Sequence, residues 1–165
     1  MAKEDFCIIL DSVSAVKETD FMKDSRVLEV PLVVNLGGEE WRDGERSLEY
    51  LVQRMEELDQ LAQTSQPPLG ELIELFTSLV NQGKKVIMVT MSSGLSGTYQ
   101  TACMAAKQVV SEIKGADVRV IDGKTCGSPL IGQAKAILAK IDEGCEDMDE
   151  LERFGLDVVR RTKTW

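Results

Sequence analysis

Three polar segments follow short apolar runs in this chain, and each carries groups able to hold an anion. Asp11-Ser12-Val13-Ser14 follows Phe6-Cys7-Ile8-Ile9-Leu10. Ser92-Ser93-Gly94-Leu95-Ser96-Gly97-Thr98 follows Val86-Ile87-Met88-Val89-Thr90. Asp122-Gly123-Lys124-Thr125 closes the run that starts at Val118. A fourth segment, Thr64-Ser65-Gln66-Pro67-Pro68, leads into a helical pattern. The 92–98 segment is the densest, with four hydroxyls and two glycines directly before another helical pattern. A helix start leaves backbone N–H groups free and carries partial positive charge, so it suits phosphate or carboxylate. The same residues also make an ordinary serine-capped turn. On composition alone the two readings stand level.

Several catalytic readings fail on the residues. Gly94-Leu95-Ser96-Gly97-Thr98 lacks the last glycine of a G-x-S-x-G elbow. No lysine follows Gly97 as a phosphate-binding P-loop requires, and no G-x-G-x-x-G follows the first apolar run. The chain contains no histidine, which removes Ser-His-Asp and Cys-His devices, histidine metal ligands and a histidine pH switch. Asp11, Asp43 and Asp122 are scattered single carboxylates, read as caps or turn residues and not as Mg²⁺ ligands. No metal or other cofactor is expected.

The elements that position these segments alternate between strand and helix patterns, the signature of a parallel sheet covered by helices. The run from Arg26 to Leu36 contains Pro31, which cannot donate to a ladder, so this run lies at an edge or changes partner there. Gly37-Gly38 reads as a two-residue hairpin turn returning through Glu39-Glu40-Trp41-Arg42, which places a β-hairpin near 33–42. Apolar stripes mark five helices: Leu48, Leu51, Val52, Met55 and Leu58 behind a Ser47 cap; Leu69 to Val80, closed by Gly83; Tyr99, Ala102, Cys103, Ala106 and Val110; Ile131 to Ile141, opened by Ser128-Pro129; and Leu151, Phe154 and Val158 behind a capping box of Asp147 and Glu150. The fold class is α/β, a three-layer α/β/α arrangement with a mainly parallel sheet in one domain spanning 1–165.

The net charge of −9 disfavours nucleic acid and anionic membrane surfaces as partners. No apolar run approaches the length of a membrane span, and the polar N-terminus is unlike a signal sequence. Cys7, Cys103, Cys126 and Cys145 are scattered without a C-x-x-C pair and read as reduced core thiols. The expected location is cytoplasmic, with no membrane insertion.

Read in order, Asp11-Ser12, Val30-Pro31-Leu32 followed by Trp41-Arg42-Asp43-Gly44, Thr64-Ser65-Gln66-Pro67, and Ser92 to Tyr99 resemble the DegV family of bacterial fatty-acid-binding proteins. Asp122-Gly123-Lys124-Thr125 is similar to the family's usual Asp-Ser-Lys-Thr, with glycine at the second place. The resemblance runs from about residue 6 to the end, and it implies the N-terminal lobe of a two-lobed lipid carrier. It implies that Thr64 and Ser93 hold the carboxylate of a long-chain fatty acid such as palmitate. Ser65, Ser92, Gly94, Ser96, Gly97, Asp11 and Ser12 would support that site. It also implies an acyl tunnel between two lobes and a fatty-acid kinase subunit as partner, the carrier itself not being the catalyst.

Two departures from the family pattern stand out. Pro68 replaces the usual capping serine after the TSQP segment. Residues 159–165 match the approach to a strand after which relatives add a second lobe, so the C-terminal lobe is expected to be missing from this chain, leaving an unpaired edge at Trp165 and a tendency to self-associate. The alternative to a carrier is an enzyme or enzyme subunit that holds a small phosphorylated metabolite at the 92–98 loop. A third reading is an interaction domain whose pocket is incomplete.

Overall fold

The structure is a computed structural model that describes residues 3–163. Among these residues seven strands and five α-helices follow one another: β1 (Phe6–Asp11), β2 (Val27–Val30), β3 (Val33–Leu36), β4 (Glu39–Arg42), α1 (Leu48–Leu58), β5 (Gln63–Ser65), α2 (Leu69–Asn81), β6 (Lys85–Thr90), α3 (Thr98–Glu112), β7 (Val118–Asp122), α4 (Pro129–Asp142) and α5 (Met148–Arg161). The main sheet has the order β2-β1-β6-β7 and is parallel throughout. A smaller antiparallel sheet has the order β4-β3-β5.

The burial pattern explains why the central strands read as unbroken apolar runs. Both faces of a parallel sheet are covered, so alternate residues enter different cores. Ile8, Leu10, Ile87 and Val89 pack with Leu130, Ile137 and Leu151 of α4 and α5. Cys7, Ile9, Val86 and Met88 pack with Leu72 and Phe76 of α2 and with Ala102, Ala105 and Val109 of α3. The alanines of α3 leave room for that helix to lie close to the sheet. Val34, Leu36 and Trp41 form a third, small core against Leu51, Met55 and Leu58.

Pro31 marks a change of partner. β2 ends at Val30 in the parallel sheet and β3 begins at Val33 in the small one. The hairpin forms at Gly37-Gly38, whose φ angles of +59 and +83 match the left-handed turn that glycine favours. Ser47 caps α1, accepting from Tyr50 N at 3.2 Å, and Gly83 (φ +78) ends α2.

Other local expectations are corrected. Thr64-Ser65 lies not in a loop but in β5, paired to β3 with Thr64 opposite Val34. Three exposed polar residues carry no alternation of hydrophobicity, so only backbone pairing defines this strand. Leu48 and Val52 face solvent, 71% and 41% exposed, and Val110 is 44% exposed. The core stripe of α3 is instead Ala102, Ala105, Ala106 and Val109.

The helix starts differ as well. Ser128 makes no side-chain cap, and α4 starts on Pro129. Asp147 caps α5 by accepting from Asp149 N and Glu150 N. The reciprocal half of the box is absent, because the Glu150 carboxylate pairs with Lys140 at 3.1 Å. α2 starts on Pro68 with no side-chain cap. All four cysteines are free, but only Cys7 is buried and Cys126 is exposed. Val159 to Arg161 continue α5 and are not the approach to a strand; the edge expected at Trp165 lies outside the described residues.

Two features set the loops beyond the strand ends. Gly123 packs where a side chain does not fit: a Cβ there would overlap Leu130 Cδ2 and stand 2.6 Å from Thr90 O. Asp11, fully buried, accepts from Met91 N at 2.6 Å and so ties β1 to the start of the 92–98 loop. Burial pushes the Asp11 carboxyl up from 3.8 to about 6; the negative charge of Glu29 adds to this, while the Met91 and Val13 amides pull against it.

Gly123→Ala should destabilise the fold by about 1–3 kcal/mol in urea unfolding, the usual cost of overpacking. An unchanged midpoint would show that the Thr90–Leu130 gap yields freely. Because the folded-state pKa of Asp11 is raised, its contribution to stability is fully present below about pH 4 and is lost as pH rises through 6. The stability of wild type relative to Asp11→Asn should therefore fall by on the order of 3 kcal/mol between pH 4 and 7, at ~1.4 kcal/mol per unit. Parallel pH profiles for the two proteins would contradict this.

Candidate functional site

The loops after β6 and β7 meet around one carboxylate. Asp122, 8% exposed, accepts from Ser93 N at 3.1 Å, from Lys124 N at 3.1 Å and from the Ser93 hydroxyl. Lys124 Nζ pairs with Asp122 Oδ2 at 2.7 Å and reaches Ser93 Oγ at 3.4 Å. Burial works to raise the pKa of Asp122, but the hydrogen bonds from Lys124 and Ser93 together hold it below the usual carboxylate range. Lys124 adopts φ +55, uncommon for a residue other than glycine, and the Asp122 carboxylate holds its amide there.

The hydroxyls of the 92–98 segment divide into two roles. Ser92 builds the turn: its N–H donates to Thr125 O at 2.8 Å, its carbonyl accepts from Leu95 N and Ser96 N, and its Oγ accepts from Gly94 N. Ser96 Oγ accepts from Thr98 N at 3.2 Å and lies 2.9 Å from the hydroxyl of buried Thr98, so it caps the first turn of α3. Ser93, by contrast, is exposed.

A pocket of about 640 Å³ opens beside Ser93. Ser93, Ser96, Gly97, Asp122 and Lys124 give it a polar end; Tyr99, Val120, Leu156 and Val159 give it an apolar wall, with Arg160 and Glu152 at the margin. Such a shape suits a molecule with an anionic head and an apolar tail. A bare carboxylate brought within roughly 4 Å of Asp122 would meet about 4 kcal/mol of repulsion at an effective dielectric of 20. Lys124, ion-paired to Asp122, offsets that.

The other expected site residues fall in three places. Thr64 and Ser65 lie exposed on β5, with Asn35 Nδ2 donating to Ser65 Oγ at 3.4 Å, and neither lines the pocket. Gln66, the residue after β5, nevertheless approaches the loop, since a Cβ on Gly97 would stand 3.1 Å from Gln66 Oε1. Asp11 and Ser12 do not line the pocket either: Asp11 is buried against Met91, and Ser12 Oγ accepts from Leu32 N at 3.0 Å. They hold the frame. Gly94 is exposed in the turn.

Sequence reasoning did not single out Lys124 and Asp122 as site residues, although their segment was placed at the strand ends. It also missed Leu156, Val159 and Arg160, because α5 reads as an ordinary amphipathic helix. Nothing in its pattern separates a pocket wall from a core stripe.

The arrangement is poorly built for nucleophilic chemistry. The Ser93 proton is committed to Asp122, and a carboxylate held below its usual range is a weak base. What the loops offer is a polar cradle beside an apolar surface.

Comparison with known proteins places this architecture. The family model described as an uncharacterised protein, DegV family, matches residues 5–165. A DegV domain-containing protein of Clostridium perfringens is 34% identical over 124 residues, covering 73% of this chain and 43% of that protein. A DegV domain-containing 15.5 kDa protein of Staphylococcus aureus is 33% identical over 140 residues, covering 84% of this chain and 93% of its own length. A crystal structure of a stearic acid-binding protein from Eubacterium ventriosum superposes with a TM-score of 0.77 at 27% identity, covering 90% of this chain and 51% of that one. A DegV family protein of Ruminococcus gnavus, solved with vaccenic acid, has the same fold, with a TM-score of 0.83 at 21% identity over 94% of this chain and 55% of that one. The chain thus spans about half the length of these solved structures and 43% of the clostridial relative. On the match of residues 5–165 to the family model, the chain belongs to the DegV family.

Proposed function

We propose that this chain binds a long-chain fatty acid, with the carboxyl group at the Ser93 loop and the acyl chain along α5, and serves as a carrier. The observation that carries the reading is the two-sided pocket, polar at Ser93 and Lys124 and apolar at Tyr99, Val120, Leu156 and Val159. The stearic acid-binding protein of E. ventriosum and the vaccenic acid complex of R. gnavus support it. In this reading Ser93 exchanges Asp122 for the ligand while Lys124 keeps Asp122 neutralised, and Thr64 reaches the carboxyl from the β5 side. Ser65, Ser92, Gly94, Ser96 and Gly97 shape the cradle, and Asp11 and Ser12 anchor it. The carrier would present the acid to a fatty-acid kinase subunit.

Affinity in this scheme comes from the tail, at about 0.8 kcal/mol per buried methylene before the costs of association. The apolar wall is open, with Leu156 39% exposed. A sixteen-carbon chain lying on one wall forfeits about half of its burial, on the order of 5 kcal/mol, and a thousandfold or more in affinity. The 165-residue chain by itself should therefore bind palmitate weakly.

Calorimetry of palmitate binding tests the anion site. Ser93→Ala and Thr64→Val should each weaken binding by about 1–3 kcal/mol, the cost of leaving a charged acceptor short of a donor. Wild-type affinity in both variants would remove those residues from the site. A separate check addresses chemistry: no turnover of p-nitrophenyl esters or acyl thioesters is expected, and turnover abolished by Ser93→Ala would favour a serine enzyme instead.

A further inference from the structure

We propose that Lys124 is the counter-ion by which this pocket selects an ionised carboxylate over an uncharged lipid head, a role that rests on the fatty-acid reading above. The hydroxyl of Ser93 donates to Asp122, and when it turns to a ligand instead it supplies one hydrogen bond and no charge. Positive charge has to come from a neighbour. Lys124 lines the same pocket, with Nζ 3.4 Å from Ser93 Oγ and 2.7 Å from Asp122 Oδ2.

Its placement is built and not incidental. The left-handed backbone at Lys124 (φ +55) persists because Asp122 Oδ1 holds the Lys124 amide at 3.1 Å. The side chain is 64% exposed, and an ammonium carries three donors. Two are directed at Asp122 and Ser93, which leaves one for a ligand. Arg160, the other cation lining the pocket, sits in the last turn of α5 beside Leu156 and Val159, and among the described residues it forms no ion pair. It serves as the internal comparison.

The test is an NMR titration of the ¹⁵N-labelled chain with octanoate and with octan-1-ol, which keeps the tail and removes the charge. Wild type should prefer octanoate, and added salt should erode that preference. Lys124→Gln should weaken octanoate about tenfold, equivalent to ~1.4 kcal/mol, and leave octan-1-ol within about twofold. Lys124→Arg should restore the preference, and its amide spectrum checks that the loop still folds.

Equal losses for acid and alcohol in Lys124→Gln would reduce Lys124 to a structural residue and overturn the proposal. So would an unchanged octanoate affinity, or a selective loss appearing in Arg160→Gln instead. If neither compound shifts the Ser93, Gly97 or Lys124 amides of wild type, the fatty-acid reading itself falls, and this proposal with it.

Discussion

The Asp122 carboxylate is the joint on which the candidate site depends. It ends β7, and a nearly buried carboxylate needs several donors to remain charged. It finds them in the Ser93 amide and hydroxyl and in the Lys124 amide and ammonium. Meeting that need fixes the β6–α3 loop against the β7–α4 loop and sets the positions of Ser93 and Lys124. The pocket opens where those two loops meet the C-terminal half of α5. Removing this side chain would take an acceptor from both loops and leave the Ser92 N–H bond to Thr125 O to join them.

Other contacts serve the same end. Asp11 binds the Met91 amide from the neighbouring strand. Gly123 lets the turn after Asp122 close onto Thr90 and Leu130. Gln133, buried on α4, donates to Gly123 O at 2.9 Å and to Thr162 Oγ1 at 3.2 Å, so the end of α5 is tied to the same turn. The polar cradle is therefore cross-linked on its sheet side. On its apolar side Val159 belongs to the core, whereas Leu156 is 39% exposed.

Much of the fold was legible because its rules are local. Pro31 announced an edge or a change of partner, Gly37-Gly38 the hairpin, and the unbroken apolar runs at 6–10 and 86–89 the two-sided burial of a parallel sheet. The failures have equally local causes. β5 is three exposed polar residues without a pattern, and Leu48, Val52 and Val110 look like core because periodicity cannot tell a covered face from an open one. At the site, hydroxyl density drew attention to Ser92 and Ser96, which prove to be turn and cap residues, whereas the acceptor that organises the loops lies some thirty residues further along. Tertiary pairing of Ser93 with Asp122 leaves no trace in either segment alone. The TSQP and SSGLSG motifs carried the family, and the family model agrees over residues 5–165.

The central claim is that one molecule spans the polar cradle and the α5 wall in a fixed direction. The most direct measurement is a set of intermolecular NMR contacts to decanoate labelled with ¹³C at its methyl end. The account predicts contacts from that methyl to the side chains of Leu156, Val159 and Tyr99, together with carboxyl-dependent shifts at the Ser93 and Gly97 amides. Methyl contacts at Ser93 and Gly97, or shifts confined to a surface away from this pocket, would contradict it.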